Sequence, residues 1–342
     1  MDFTPTEAQT EARDLAARIF GDLATHDRLK AAGTGSDPEL WKALCAAGLV
    51  AAAEELGLLG LVLLLEEQGR TTAQVPYAAS CVYGVLALTA HGSAEQRGRL
   101  LPAVEDGSAV VAGAFPAQTG VRASARGELT GTVPVVPWLR DATHVLVADA
   151  GRQLWLVPLG EGTGIEEVEL TAPWSAGRLT LEGAWAEPLG PGTGAYTDVL
   201  ATARTAFAGL QAGVCAGSLV RAVAHTNTRE QFGRPLANRQ AVQLRAADAH
   251  MDTEAIRVTA YEAAWRRDAG LPYATHALTA AWWASEAGHR VVHTGQHLHG
   301  GAGADLDHPV HRHFLWGRQL DAYLGCGAEV LQELGELIAN GE

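Results

Sequence analysis

Long apolar runs are missing from this chain of 342 residues: the longest, residues 56–65, is too short to span a bilayer and ends in Glu66-Glu67. No run of five or six like charges occurs, and a net charge of −14 leaves no basic stripe of the kind nucleic-acid backbones require. Cysteine is scarce, with Cys45, Cys81, Cys215 and Cys326 far apart and no C-x-x-C pair. That spacing excludes a disulfide framework or zinc ribbon and predicts reduced, mostly buried thiols. The start, Met1-Asp2-Phe3-Thr4-Pro5, lacks the basic and apolar regions of a signal peptide. There is no H-E-x-x-H, no Ser/His/Asp or Cys-nucleophile context and no internal repeat. The expectation is a cytoplasmic protein with no nucleic-acid or membrane partner. An acidic ligand must then be met by local arginines or backbone amides.

What is present is a folded composition, 47% hydrophobic and 19% charged, over a length that calls for two or three packed regions. Residues 1–108 read as a helical domain. Thr4-Pro5-Thr6-Glu7 offers an N-cap with proline at the first helical position, starting a helix to about residue 28. Asp37-Pro38 starts another, residues 56–70 form a buried third, 76–89 a fourth, and Ser93-Ala94-Glu95-Gln96 caps a fifth. Residues 109–190 change to short β-rich runs (133–136, 143–148, 153–158 and 178–181) broken by Gly, Pro and Asp, and read as a small β domain. Gly190-Pro191-Gly192-Thr193-Gly194 is a linker; without a strand-then-helix context it is not a phosphate loop. Residues 195–342 return to helix (198–228, 238–268, 273–297 and 309–338) with short connections, the pattern of an antiparallel four-helix bundle. The fold class is mainly α with a central β module.

Two local motifs sharpen this order. Arg229-Glu230-Gln231-Phe232-Gly233-Arg234-Pro235-Leu236, followed by Gln240-Ala241-Val242, resembles the R-x-x-F-G…Q-A motif of acyl-CoA dehydrogenases. His299-Gly300-Gly301-Ala302-Gly303, followed by Asp307-His308-Pro309-Val310-His311-Arg312, resembles that family's H-G-G-x-G…P-V-x-R segment. Met1-Asp2-Phe3, Asp37-Pro38-Glu39-Leu40-Trp41, Glu66-Glu67-Gln68-Gly69-Arg70 and Leu100-Leu101-Pro102 are similar to family segments as well. The resemblance covers nearly the whole chain and implies FAD as cofactor and an acyl-CoA as substrate. It also implies a role for Arg229, Phe232, Gln240, His297, Gly300 and Gly301 at the flavin of a neighbouring subunit. The chemistry suits a pyrophosphate: a guanidinium gives fork-shaped charged hydrogen bonds, and glycines let backbone come close to a nucleotide.

The same resemblance exposes losses. The family's general base is a glutamate before Gly-Thr in the final helical segment, and Leu324 stands there. Some members carry it on the first bundle helix, where Ala203 stands. Neither side chain takes a proton, so no catalytic residue is expected on this chain. The family's Trp-Ile-Thr beside the isoalloxazine matches Gly131-Thr132-Val133-Pro134-Val135-Val136-Pro137, with valine at the Trp place and proline at the Thr place; a slip of one or three residues brings Trp138 in instead. The loop 115–127 is short and lacks the flavin-contacting run, and His297 replaces the usual glutamine. A chain that keeps the half-site donated to a neighbour and loses its own resembles one subunit of the α2β2 acyl-CoA dehydrogenases of bacterial steroid catabolism. The implied partner is a homologous chain carrying the catalytic glutamate. Two rivals stand beside this reading: a self-sufficient flavoenzyme homomer with a relocated base, such as Asp305 or Asp307, and a non-redox protein of the same fold. His289, His293 and His297, at i, i+4 and i+8, could share a helix face; with Asp305 or Asp307 they could bind zinc, but polar faces and subunit contact are the simpler expectation and no metal is expected. Trp265, Trp282 and Trp283 are expected in core or interface packing.

Overall fold

Helix starts follow local chemistry. Ser93 and Gln96 close a reciprocal capping box at the head of Ala94–Glu105, and Asp37 accepts from the amides of Glu39 and Leu40 at the head of Pro38–Ala46. At the N-terminus the cap is Thr6 rather than Thr4, because Gln9 returns its side chain to the Thr6 amide and completes a box that starts Glu7–Leu23. That helix ends earlier than residue 28. A new one, His26–Ala32, begins almost at once with Asp27 in its first turn, where a carboxylate favours the helix dipole.

The computed structural model describes residues 2–341, so the Met1 of the first family-like segment lies outside them, as does Glu342. The chain packs into two compact units interleaved in sequence: Met1–His26, Leu58–Ala73 and Arg204–Glu342 form one, and Asp27–Gly57 with Gln74–Ala203 form the other.

The second unit holds the β module, eight strands in two sheets. These are β1 (Val111–Ala114), β2 (Arg122–Ala123), β3 (Glu128–Val136), β4 (His144–Ala148), β5 (Leu154–Pro158), β6 (Thr163–Glu167), β7 (Gly177–Trp185) and β8 (Glu187–Leu189). One sheet runs β1-β4-β5-β8 and the other β2-β3-β7-β6, with β1 and β4 the parallel pair. Val133, Val136, Val145, Val147, Leu179 and Leu181 belong to one fully buried cluster between them. The runs 133–136, 143–148, 153–158 and 178–181 read from the sequence fall in or overlap β3, β4, β5 and β7. In the same unit Tyr77–His91 is helical, with a π-helical middle at Ser80–Leu86.

The first unit is helical. Ala274–His299 packs against Gln240–Asp268, Pro309–Leu320 and Gly327–Ala339. Residues 58–71 begin after a break at Gly57 (φ 69°), and their first amides, those of Leu58 and Leu59, donate to the Asp268 carboxylate at 2.8 Å each. They cross the helix Thr193–Thr228 at close quarters: a Cβ on Gly213 would lie 2.1 Å from the Glu66 carbonyl oxygen, and one on Gly69 2.2 Å from that of Leu210. That long helix is apolar enough to cross a membrane by length and composition, yet 72% of its most apolar window is buried within the protein.

Gly213→Ala is expected to destabilise the protein by about 1–3 kcal/mol, because the added methyl meets backbone, which cannot rotate aside. Gly98→Ala, where a Cβ meets no atom within 4 Å, is the matched control. Equal urea midpoints for the two variants would show that this crossing is not tight.

Cys81 and Cys215 are buried, Cys45 is half-buried and Cys326 is exposed, all as free thiols, and burial pushes the Cys45 thiol up to about 11. Trp265, Trp282 and Trp283 are half-buried, with the last two edge to face at 5.1 Å.

Candidate functional site

Where the helix Thr193–Thr228 ends, the Arg229 amide still donates to the His225 carbonyl at 2.8 Å, and the chain then turns through a two-residue hairpin. Gln231 pairs with Arg234 across it, and Phe232 (φ 55°) and Gly233 (φ 74°) occupy the turn. Positive φ at both turn residues is the geometry such hairpins favour, but an aromatic residue adopts it at a cost. Phe232 also leaves its ring 92% exposed, covered on one face by the Arg239 guanidinium at 5.3 Å. Strain and exposure together at one large apolar residue mark a place built for contact with something else. Arg229, Arg234 and Gln240 are exposed around it.

The second motif ends the helix Ala274–His299. Gly300 (φ 62°) needs glycine for its backbone, whereas Gly301 is neither left-handed nor crowded: a Cβ there meets no atom within 4 Å. Its surface is open to an approaching group. His297 is exposed, while its neighbour Gln296 turns inward and donates to the Gly303 carbonyl at 3.2 Å.

The two motifs meet through imidazoles. His225 stacks on His299 at 4.6 Å, and His299 meets His308 edge-on at 4.9 Å. Arg229, Phe232, Gln240, His297, Gly300 and Gly301 thus all lie exposed in one unit, on segments joined by that stack. In the sequence His299 and His308 stand within the second motif with no role of their own, and nothing singles out His225. The signal for it is its place one turn before Arg229, at the end of the helix Thr193–Thr228. The sequence points instead to the stripe His289, His293 and His297. Of these, His289 and His293 stack at 4.4 Å, His289 is tied to Asp321 at 3.1 Å, and all three border an open groove of about 800 Å³ with Asp252 and Arg290. Among the described residues no group of three or more His, Cys, Asp or Glu is arranged to hold a metal.

The base positions are filled with packing. Leu324 is 6% exposed, and the buried Arg204 guanidinium beside it donates to the Leu324 carbonyl at 3.2 Å and, in fork fashion, to Glu333 at 2.9 and 2.7 Å. Phe207 meets Tyr323 edge-on at 4.8 Å. The cavity left among these side chains is about 20 Å³, room for no acyl group. Ala203, at the alternative base position, is fully buried.

The residues that would face this chain's own flavin do not fit one. Trp138 is fully buried with φ 59° and stacks on Trp174 at 4.4 Å, so a shifted alignment does not bring it to a cofactor. Val136 and Pro137 are buried too, and Val135, at the Trp place, is exposed but offers no aromatic face and no side-chain hydrogen bond. In the short loop, Phe115 is sandwiched between Tyr83 and Tyr196 at 5.1 and 6.0 Å. The Ala117 amide donates to the Tyr196 hydroxyl and the Gln118 amide to the Ala148 carbonyl, so these donors are used internally. The exposed set around Arg229 and Gly301, by contrast, fits a nucleotide pyrophosphate: a charged fork, open backbone and an aromatic face.

The chain is similar to known proteins along nearly its whole length. Residues 6–108 match the acyl-CoA dehydrogenase N-terminal domain and residues 190–334 the acyl-CoA dehydrogenase C-terminal domain. Acyl-CoA dehydrogenase FadE27 of Mycobacterium tuberculosis is 36% identical over 99% of both chains. A chain of the Tcur3481-Tcur3483 steroid ACAD superposes with a TM-score of 0.93 at 43% identity over 98% of each chain. One from the ChsE4-ChsE5 complex of Mycobacterium tuberculosis also gives 0.93, at 32% identity over the whole of both. This chain belongs to the acyl-CoA dehydrogenase family.

Proposed function

We propose that this chain is the non-catalytic subunit of a heteromeric, FAD-dependent acyl-CoA dehydrogenase, acting in the desaturation of the Cα–Cβ bond of a bulky, steroid-like acyl-CoA. FAD, when bound, supplies the hydride acceptor. This chain's part is to hold the flavin of a homologous partner chain that carries the catalytic glutamate. Arg229 pairs with the pyrophosphate, Phe232 and Gln240 flank it, and His297, Gly300 and Gly301 lie along the nucleotide. The observation that carries the reading is an asymmetry: the residues donated outward are exposed, while the chain's own base position is filled by its own side chains and, of its flavin-face stretch, Val136, Pro137 and Trp138 are drawn into the core. The steroid ACAD and ChsE4-ChsE5 relatives support both the heteromer and the substrate class. The division into 1–108, 109–190 and 195–342 is proposed as the modular order within the family, and a cytoplasmic location goes with it.

Cofactor content tests the proposal. Expressed alone, the chain is expected to purify colourless; co-expressed with its partner homologue, it should yield a yellow complex with fewer flavins than chains, read from the 450 nm absorbance against protein. A yellow homomer holding one FAD per chain would overturn the subunit assignment and favour a self-sufficient enzyme with a relocated base.

A further inference from the structure

We propose that His225 is a proton acceptor coupled to the flavin pyrophosphate: as the anion docks on Arg229, the imidazole takes up a proton from water, so the assembled complex holds FAD more tightly as pH falls. This rests on the half-site reading and deepens it.

The placement comes first. His225 lies in the last turn of the helix Thr193–Thr228, and Arg229, just beyond its end, still donates its amide to the His225 carbonyl at 2.8 Å, one turn away. Across from His225, His299 stacks at 4.6 Å, and its Nδ1 lies 2.7 Å from the Gly295 carbonyl, to which it donates. His308 spends its Nδ1 accepting from the Val310 amide at 3.2 Å, so protonating that nitrogen breaks a helix cap. The ring nitrogens of His225 hydrogen-bond to no described residue. It can take a proton without losing a bond.

The charges around the cluster come from every element packed there. Arg221 lies on the same helix as His225 and Arg229 just beyond its end, His299 ends the helix Ala274–His299, and His308 caps the helix Pro309–Leu320. His26 adds to the positive field at His308, and Asp305 opposes it. Burial lowers the pKa of His225 first, and the charges of His299, His308 and Arg229 lower it further; His308 is lowered in the same way. A dianionic pyrophosphate at Arg229 reverses the sign of that field. The sign then follows: a pKa held below the ordinary imidazole value without flavin and raised by the bound anion means proton uptake on binding between the two values. Affinity rises as pH falls through the upper value and levels off below the lower one. The flavin pyrophosphate is a diester and stays dianionic throughout, so the titration belongs to the protein.

The experiment uses the co-purified complex, stripped of flavin and titrated with FAD from pH 8 to pH 5.5. Calorimetry in two buffers of different ionisation heat gives the protons taken up. Each unit by which flavin raises the imidazole pKa strengthens binding by about tenfold over this range, with uptake approaching one proton per FAD. His225→Phe keeps the stack on His299 but cannot titrate, and is expected to flatten the pH dependence and abolish the uptake. If His225→Phe keeps the parent's slope and proton uptake while Arg229→Ala releases FAD, the half-site stands and the coupling is overturned. If Arg229→Ala binds FAD as tightly as the parent, the half-site reading falls and the coupling with it.

Discussion

Arg229→Ala is expected to weaken FAD retention by the assembled complex by about two orders of magnitude or more. Truncating one partner of a desolvated, charge-assisted pair costs roughly 2–5 kcal/mol, and each 1.4 kcal/mol is about tenfold in a dissociation constant. Arg229 is exposed in the chain by itself, so the arginine loses its water only when the partner's flavin covers it. The substitution should therefore leave the fold intact, since the side chain stands beyond the end of a helix and supports no core. Arg229→Lys should restore only part of the affinity, because a point charge cannot reproduce a planar fork. Arg234 is the control: equally exposed, in the same hairpin, and expected to be nearly neutral to replacement by alanine. The measurement is the FAD dissociation constant of the co-purified complex, with helix content followed by circular dichroism. A variant that holds FAD like the parent would reduce the motif to a helix junction.

The residues of the proposed half-site could be singled out in the sequence because they lie in two short motifs whose chemistry is local. The caps at Asp37 and Ser93 and the short β-rich runs of the β module are local in the same way. What stayed hidden depends on residues far apart in the chain. The Gly57 break is stabilised by Asp268, about 210 residues away, and the base position is closed by an Arg204–Glu333 pair 129 residues apart. Local rules failed where two solutions were equally good. Thr4 and Thr6 both precede a side chain able to complete a box, and only folding shows that Thr6 and Gln9 close it. Trp138 illustrates a third limit. Its sequence neighbourhood left open a place beside a flavin, but the stack on Trp174, 36 residues on, draws it into the core.

Replacing Asp305 or Asp307 by asparagine is expected to leave turnover of the complex within about twofold, whereas Glu→Gln at the partner's catalytic glutamate should lower it by about 10²–10⁴, the usual worth of a positioned general base. Both aspartates are exposed, and Asp305 is engaged in the local turn, its Oδ1 accepting from the Asp307 amide at 3.0 Å and its carbonyl from the His308 amide at 3.0 Å. They precede the helix Pro309–Leu320, and Leu324 follows it. Twelve residues at about 1.5 Å each separate the two ends by roughly 18 Å. An aspartate at the nucleotide end cannot reach a proton at the place where the family keeps its base. The buried carboxylates of the same unit are committed too: Glu66 to Arg257 at 2.9 Å, Glu67 to Arg70 at 2.9 Å and Asp321 to Arg318 at 2.8 Å, while the more exposed Asp268 accepts from the Leu58 and Leu59 amides. Incubated alone with an acyl-CoA in deuterated water, this chain should therefore exchange the α-proton no faster than solvent does. A loss of orders of magnitude at Asp305→Asn or Asp307→Asn, with circular dichroism unchanged, would make that residue the base and this chain an enzyme in its own right.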